Sequence, residues 1–243
     1  MFIQIKNLTK KFKNNLAVNN INFSIEKNNV LGLLGPNGCG KTTSIGMMLG
    51  LIKPTSGQII IDNKNLESFK RNDILARINF ASPYIELPKK LTVRQNLEVY
   101  GRLYGIKNRK ERIEEISEDL DIKDFFDRQT GELSSGQKNR VSLAKSLINK
   151  PEILLLDEPT ASLDPDIGDF VRSYIQDYKK KNKITILLAS HNMDEVERLC
   201  DSVIMMRKGK IIDTGTCAEL IQKHGRGNLE ETFLKLARSE NEF

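Results

Sequence analysis

Apolar and polar positions alternate over residues 2–8 and 21–26, and short apolar runs follow at 30–34 and 58–62, the last after a turn at Pro54, Thr55, Ser56 and Gly57. A period of two with turn residues at the breaks predicts short strands. Residues 41–51, before that turn, predict a helix. From 91 to 147 the period lengthens: TVRQNLEVYGRLYG, KERIEEISEDL and a third stretch with Val141, Ala144 and Ile148 at helical spacing predict three helices. After Pro151 strand and helix alternate. EILLLD, ITILLAS and SVIMMR read as strands buried on both faces, with helices near 167–180 and 194–199, the pattern of a parallel sheet covered by helices. The tail, NLEETFLKLAR, places Leu229, Phe233, Leu236 and Ala237 on one helical face.

Length and composition narrow this picture. A chain of 243 residues suffices for one large α/β domain, or one carrying a smaller subdomain. No apolar run approaches the roughly 18 to 20 residues that cross a bilayer, so any passage through a membrane belongs to another chain. The first residues lack the apolar core of a secretion signal, which predicts a cytoplasmic protein. Cys39, Cys200 and Cys217 form no CxxC pair and no zinc-like spacing with His191 or His224, so reduced thiols are expected. The net charge of +6 gathers at Lys10, Lys11 and Lys13, at Lys89 and Lys90, and at Lys179, Lys180, Lys181 and Lys183, with acids interspersed. Such clusters read as solvated faces or as attraction to anionic lipid headgroups, and nucleic acid is not an expected partner.

The run 30–34 leads directly into Gly35, Pro36, Asn37, Gly38, Cys39, Gly40, Lys41 and Thr42, which fits GxxxxGK[ST] with the strand before and the helix after that this motif requires. Its glycines let the backbone curl so that amides converge on phosphate oxygens at the positive end of a helix dipole. Lys41 is then placed to reach the β and γ phosphates of a bound nucleotide, and the Thr42 hydroxyl to ligate Mg²⁺. Cys39 lies near a helix N-terminus, which predicts a reactive thiol that bound ATP protects. Further on, the apolar run 153–156 ends in Asp157 and Glu158, where a parallel sheet presents its ligands. Asp157 suits Mg²⁺, and Glu158 suits the orienting and polarising of an attacking water as general base.

Leu133, Ser134, Ser135, Gly136 and Gln137, shortly before the acidic strand, resemble the signature of the ATP-binding cassette (ABC) family. Ser162, Leu163 and Asp164 resemble that family's D-loop, His191 its switch histidine, and Phe12 the aromatic that stacks on adenine. The resemblance implies a P-loop NTPase: a RecA-like parallel-sheet core with an antiparallel β edge and an inserted α-helical subdomain. It implies one nucleotide-binding domain over 1–243, with the core at 1–85 and 151–243 and the signature-bearing helical subdomain at 86–150. It extends nucleotide contact to Thr43 and, across a dimer, to Ser134, Ser135, Gly136, Gln137 and Asp164. Two such cassettes, expected to be copies of this chain, would bury ATP between them, the signature of one closing over the γ phosphate held by the other.

The partner implied is a separate transmembrane permease, holding the cassette peripherally at the cytoplasmic face of the membrane. The stretches LPKKLTVRQNLEVYGRLYG and NLEETFLKL are similar to the ABC-2 type exporter branch, whose cassette and permease are separate chains. The alternative is a soluble cassette ATPase acting on nucleic acid or ribosomes. Such members carry two cassettes, a coiled-coil insertion or zinc-binding cysteines, none of which occurs here. Two positions depart from the family pattern. The glutamine usual after the strand ending near Phe80 is replaced by Pro83, or by Ser82, whose hydroxyl could take over as a ligand; Ser135 replaces a glycine, adding a Cβ where close approach is expected.

Overall fold

A computed structural model describes residues 1–238. The chain divides into two units, one made of residues 1–75 together with those from 185 onward, the other of residues 76–184.

The first unit begins with β1 (Ile3–Phe12) and β2 (Asn15–Ile25), an antiparallel hairpin in which Phe12 faces Asn15. Both strands run further than alternation predicts. Asn7, Lys13 and Asn20 take left-handed φ values of 49°, 46° and 51°, and the register shifts along the hairpin, so its polar end pairs without a period-two pattern. β3 (Val30–Leu34) is buried along its whole length and leads to α1 (Lys41–Met48). β4 (Ser56–Ile61) pairs antiparallel with β1, and β5 (Lys64–Asn65) with β4, giving the order β2-β1-β4-β5; α2 (Arg71–Leu75) follows.

The second unit contains β6 (Ile78–Ala81), α3 (Val93–Leu103), α4 (Arg109–Asp119), α5 (Ser135–Leu147), β7 (Ile153–Asp157) and α6 (Pro165–Asn182). β6 and β7 are parallel, with Ile78 opposite Ile153 and Ala81 opposite Leu156. α3 starts on a capping box: Gln95 N donates to Thr92 Oγ1 at 3.1 Å, and Thr92 N donates to Gln95 Oε1 at 2.9 Å. Val93, Leu97, Ile113, Ile116 and Val141 bury the facing stripes of the three helices. Arg112, itself buried, donates to the Leu147 and Ile148 carbonyls and so satisfies the C-terminal end of α5.

The first unit resumes with β8 (Thr185–Ser190), α7 (Met193–Leu199), β9 (Ser202–Arg207), β10 (Lys210–Gly215), α8 (Cys217–His224) and α9 (Leu229–Arg238). β3 lies parallel between β8 and β9, and β10 pairs antiparallel with β9. β3 and β8 are buried throughout, as strands covered on both faces must be. β10 and α8 were not expected from the apolar pattern, because Lys210, Asp213 and Thr214 interrupt it. The signal for α8 was a capping box, Thr216 with Glu219. On α9, Leu229, Phe233 and Leu236 join the cluster of Leu34, Val196, Val203, Met205 and Leu220; the side chain of Ala237 lies outside the described residues. Among the described residues no helix is long and apolar enough to cross a membrane.

Asp213 ties β10 to α8, accepting from Lys223 Nζ at 2.7 Å and from His224 Nε2 at 2.6 Å. Burial pushes its carboxyl up, but the hydrogen bonds from Lys223, His224 and Thr214 N, with the charge of Lys223, outweigh that and hold it below the usual range. A depressed folded-state value means that its stabilisation is present above the unfolded value, near pH 4, and is lost as pH falls through the folded one. Asp213→Asn should therefore destabilise the protein by about 1 to 3 kcal/mol at pH 7, and the gap between variant and parent should close below about pH 4 in urea titrations.

Candidate functional site

Two sets of candidate residues emerge, one on each unit. In the first unit Leu34 and Ser190 are register partners on β3 and β8, so Gly35 and His191 leave the carboxyl edge of the sheet side by side. The loop after β3 turns on Gly38 (φ 78°) and Gly40 (φ 109°), conformations that L side chains avoid. Close backbone approach adds a second constraint: a Cβ on Gly40 would stand 2.6 Å from the Ala17 carbonyl oxygen, and one on Gly35 2.5 Å from that of Met206. Around Gly38 nothing lies within 4 Å of an added Cβ. The β9–β10 turn braces the loop, Gly209 N donating to Cys39 O at 3.0 Å while Asn19 N donates to Gly209 O at 2.7 Å.

Lys41, only 5% exposed, donates from Nζ to Gly35 O at 2.6 Å and to Pro36 O at 3.4 Å. The ammonium thus sits inside the curl of the loop. Thr42 is exposed at the start of α1 and Thr43 half-buried. Beyond β8, Ser190 Oγ donates to Glu195 Oε2 at 2.5 Å and accepts from Asn192 N at 3.0 Å, and Asn192 Oδ1 caps α7 through Glu195 N at 3.1 Å. These bonds fix the backbone on both sides of the exposed His191. Glu195 and Ser190 carry no motif; their burial reveals them. Phe12 is 44% exposed, with Lys10 Nζ 4.8 Å from its ring centroid, an open aromatic face of the kind a base can stack on.

In the second unit Asp157 ends β7 and Glu158 follows it, 3% and 6% exposed. Glu158 takes φ 55°, a left-handed conformation that costs a non-glycine residue on the order of 1–3 kcal/mol. The turn after it closes with Ala161 N donating to Glu158 O at 3.0 Å. Ser134 caps α5 in a reciprocal box: Gln137 N donates to Ser134 Oγ at 3.2 Å and Ser134 N to Gln137 Oε1 at 3.0 Å. Ser134 and Ser135 are exposed, so the additional Cβ of Ser135 is accommodated at the surface. Gly136 is buried; a Cβ there would come 2.5 Å from Ile167 Cδ1. Asp164 is the N-cap of α6 ahead of Pro165.

Ala81 and Leu156 are register partners, which sets Ser82 beside Asp157 at one sheet edge. Ser82 is buried, and its hydroxyl accepts from Tyr84 N at 3.4 Å, turned into its own loop, while Pro83 has no polar side chain. Just upstream, Lys145 on α5 donates to Phe80 O at 3.1 Å, and burial pushes its ammonium below the usual lysine range. Tyr84 and Ile85 are 71% and 51% exposed beside a cavity of about 310 Å³ lined also by Leu87, Leu133 and Leu163.

The expected reactivity of Cys39 needs correction. Its thiol is 3% exposed, under the turn that Gly209 closes, so a helix N-terminus nearby does not present it to solvent. Cys200 and Cys217 are only half-buried. A thiol reagent should modify Cys39 last of the three in the native protein, and at a rate like theirs in urea, as peptide mapping would read.

The donor set tests the expected ligands. An open, glycine-turned loop around a buried ammonium fits a polyphosphate. A threonine hydroxyl and a carboxylate are hard oxygen donors of the kind that hold Mg²⁺ together with phosphate oxygens. Among the described residues no three His, Cys, Asp or Glu side chains form a metal cluster of their own.

Residues 18–161 match the family model described as ABC transporter. The ABC transporter ATP-binding protein NatA of Bacillus subtilis is 37% identical over 91% of each chain. The Nod factor export ATP-binding protein I of Burkholderia lata is 36% identical over 90% of this chain and 72% of its own. The Fe(3+) ions import ATP-binding protein FbpC of Photorhabdus laumondii is 35% identical over 88% and 61%. A solved ATP-binding subunit of an ABC transporter superposes with a TM-score of 0.88 over 98% of this chain and all of that one, at 23% identity. The fold is thus that of the ABC cassettes, an α/β P-loop NTPase, and with sequence likeness of this extent the chain belongs to the ABC transporter family as one of its ATP-hydrolysing, ATP-binding members.

Proposed function

We propose that this chain powers a membrane exporter through a separate permease, two copies closing on ATP and separating after hydrolysis. The observation that carries the closing step is the exposed start of α5, where Ser134 and Ser135 stand at the positive end of a 13-residue helix whose capping box already takes up the Ser134 and Gln137 amides and holds the turn in shape. In this reading the loop 35–42 with Thr43 holds the phosphates of ATP, Phe12 stacks on the adenine, and the signature residues 134–137 of the other copy, with its Asp164, complete the site. In the same reading residues 86–150 would be the helical subdomain that carries this signature and residues 1–85 with 151–243 the core, of which 239–243 lie outside the described residues.

Hydrolysis is an in-line attack of water on the γ phosphorus. Glu158 accepts a hydrogen bond from that water and orients it, while His191 keeps water and γ phosphate in register. Lys41 and the amides of the loop, with Ser134 and Gly136 from the other copy, spread the charge that develops on the phosphoryl oxygens. Thr42 and Asp157 would be the residues that hold Mg²⁺, which would supply positive charge against the phosphate oxygens. Triphosphate favours the closed pair because it alone reaches both sets of groups; the diphosphate does not, and the pair opens.

The permease meets the surface around Tyr84 and Ile85, two large apolar side chains exposed beside a cavity. Tyr84→Asp with Ile85→Asp should leave ATP binding unchanged and lower recovery of a polytopic membrane protein from detergent extract at least tenfold. Recovery of RNA or ribosomes in place of a membrane protein would establish the soluble reading instead. Export as the direction is supported by the sequence resemblance and by the export relative, and the import relative defines its test. ATP-dependent uptake of cargo into inside-out vesicles carrying cassette and permease supports export; uptake only into right-side-out vesicles overturns it.

A further inference from the structure

Glu158 stands in a left-handed conformation that its own side chain disfavours, so contacts around it must hold the backbone there. The following residue, Pro159, has no amide hydrogen to donate and a ring that fixes its φ, so a hydrogen bond to its carbonyl, on the Pro159–Thr160 peptide, holds the turn just after Glu158. That carbonyl accepts a 2.6 Å hydrogen bond from Asn139 Nδ2. Asn139 is 8% exposed and sits on α5, three residues beyond the buried Gly136 of the signature. A buried amide that donates across 20 residues of sequence to the turn after a strained carboxylate is an expensive arrangement to keep for packing alone, since desolvating it is offset only by that bond.

We propose that Asn139 is a positioning residue for hydrolysis: by gripping the Pro159 carbonyl it holds Glu158 in its strained conformation and ties the aim of that carboxylate to the signature helix. The inference rests on the reading of Glu158 as the group that orients water. Its consequence is that the two ATP sites of a dimer communicate through each chain. When the α5 end of one copy seats on the nucleotide held by the other, α5 shifts against its own Pro159, and the Glu158 of that copy is set at the same moment. Hydrolysis at one site would then be licensed by engagement at the second.

The test uses Asn139→Asp and Asn139→Leu in the full chain with its permease, each checked for folding by thermal melting. Both remove the amide donor at nearly constant size. Misplacing a reacting group by about 1 Å costs up to about 100-fold, so kcat should fall roughly 10- to 100-fold at pH 8, with KM for ATP within about twofold. A buried carboxyl facing a carbonyl oxygen has a raised pKa, so in N139D it regains a proton as pH falls and donates again. The kcat of N139D relative to the parent should therefore recover towards about pH 6, and that of N139L should not. Because the recovery is read within one protein sample, N139D decides the matter even if N139L fails to fold. A folded N139D with the parent's kcat at pH 8, or a loss that lowers kcat and ATP affinity together without recovery, overturns the inference. Glu158→Gln measured in parallel separates the two claims: if it hydrolyses ATP at the parent's rate the reading of Glu158 fails, whereas if it is inactive and N139D is not, only the role of Asn139 fails.

Discussion

Replacing Glu158 by Gln lowers ATP turnover by about 10²- to 10⁴-fold while leaving ATP affinity within about twofold, the signature of a lost general base with binding intact. The amide keeps the shape of the side chain and the backbone conformation at φ 55°, so the fold should be unaffected. What disappears is the negative oxygen that accepts a hydrogen bond from water. Since ATP then binds without being consumed, the closed pair should accumulate: size-exclusion chromatography with Mg-ATP should show a dimer for Glu158→Gln and a faster-exchanging mixture for the parent. Parent-like turnover, or a variant that stays monomeric with saturating nucleotide, would contradict the assignment.

Lys41→Ala has the opposite profile, because it acts on binding first. The ammonium donates to the Gly35 and Pro36 carbonyls inside the loop. Phosphate oxygens compete for it as stronger, charged acceptors. Losing one or two charge-assisted hydrogen bonds of about 1.5–3 kcal/mol each weakens ATP binding by at least tenfold, and by more than 100-fold if both count in full. Turnover falls further, since the same charge stabilises the transition state. Titration calorimetry with ATP and a steady-state assay read the two losses separately. Gly40→Ala makes a useful contrast. Its Cβ would collide with the Ala17 carbonyl at 2.6 Å in a backbone conformation that alanine disfavours, so it should lower the melting temperature as well as ATP affinity.

The chemistry was legible in the sequence wherever it is local. The phosphate loop depends on glycines and a lysine within eight consecutive positions, and the signature on a capping box that closes within four residues, Ser134 to Gln137. Buried strands announced themselves as unbroken apolar runs because both faces of β3, β7 and β8 are covered. Edge elements were less visible. The polar end of the β1–β2 hairpin and the strand β10 depend on bulges and on partners elsewhere in the chain, which leave no period to detect.

By itself, then, the sequence determined which groups are available: a phosphate loop, two carboxylates at a strand end, a serine-tipped helix, and a missing glutamine between Phe80 and Tyr84. Only the tertiary structure decided how they are held. It set Gly35 beside His191 and Ser82 beside Asp157 through strand register, buried Cys39 where local reasoning exposed it, and placed Glu158 in a strained turn gripped by Asn139. The physical reason is range. Motifs and caps are built from hydrogen bonds spanning a few residues, which any chain with those residues can form, whereas burial, register and side-chain clamps exist only after distant segments have met and the entropy of bringing them together has been offset by the whole core.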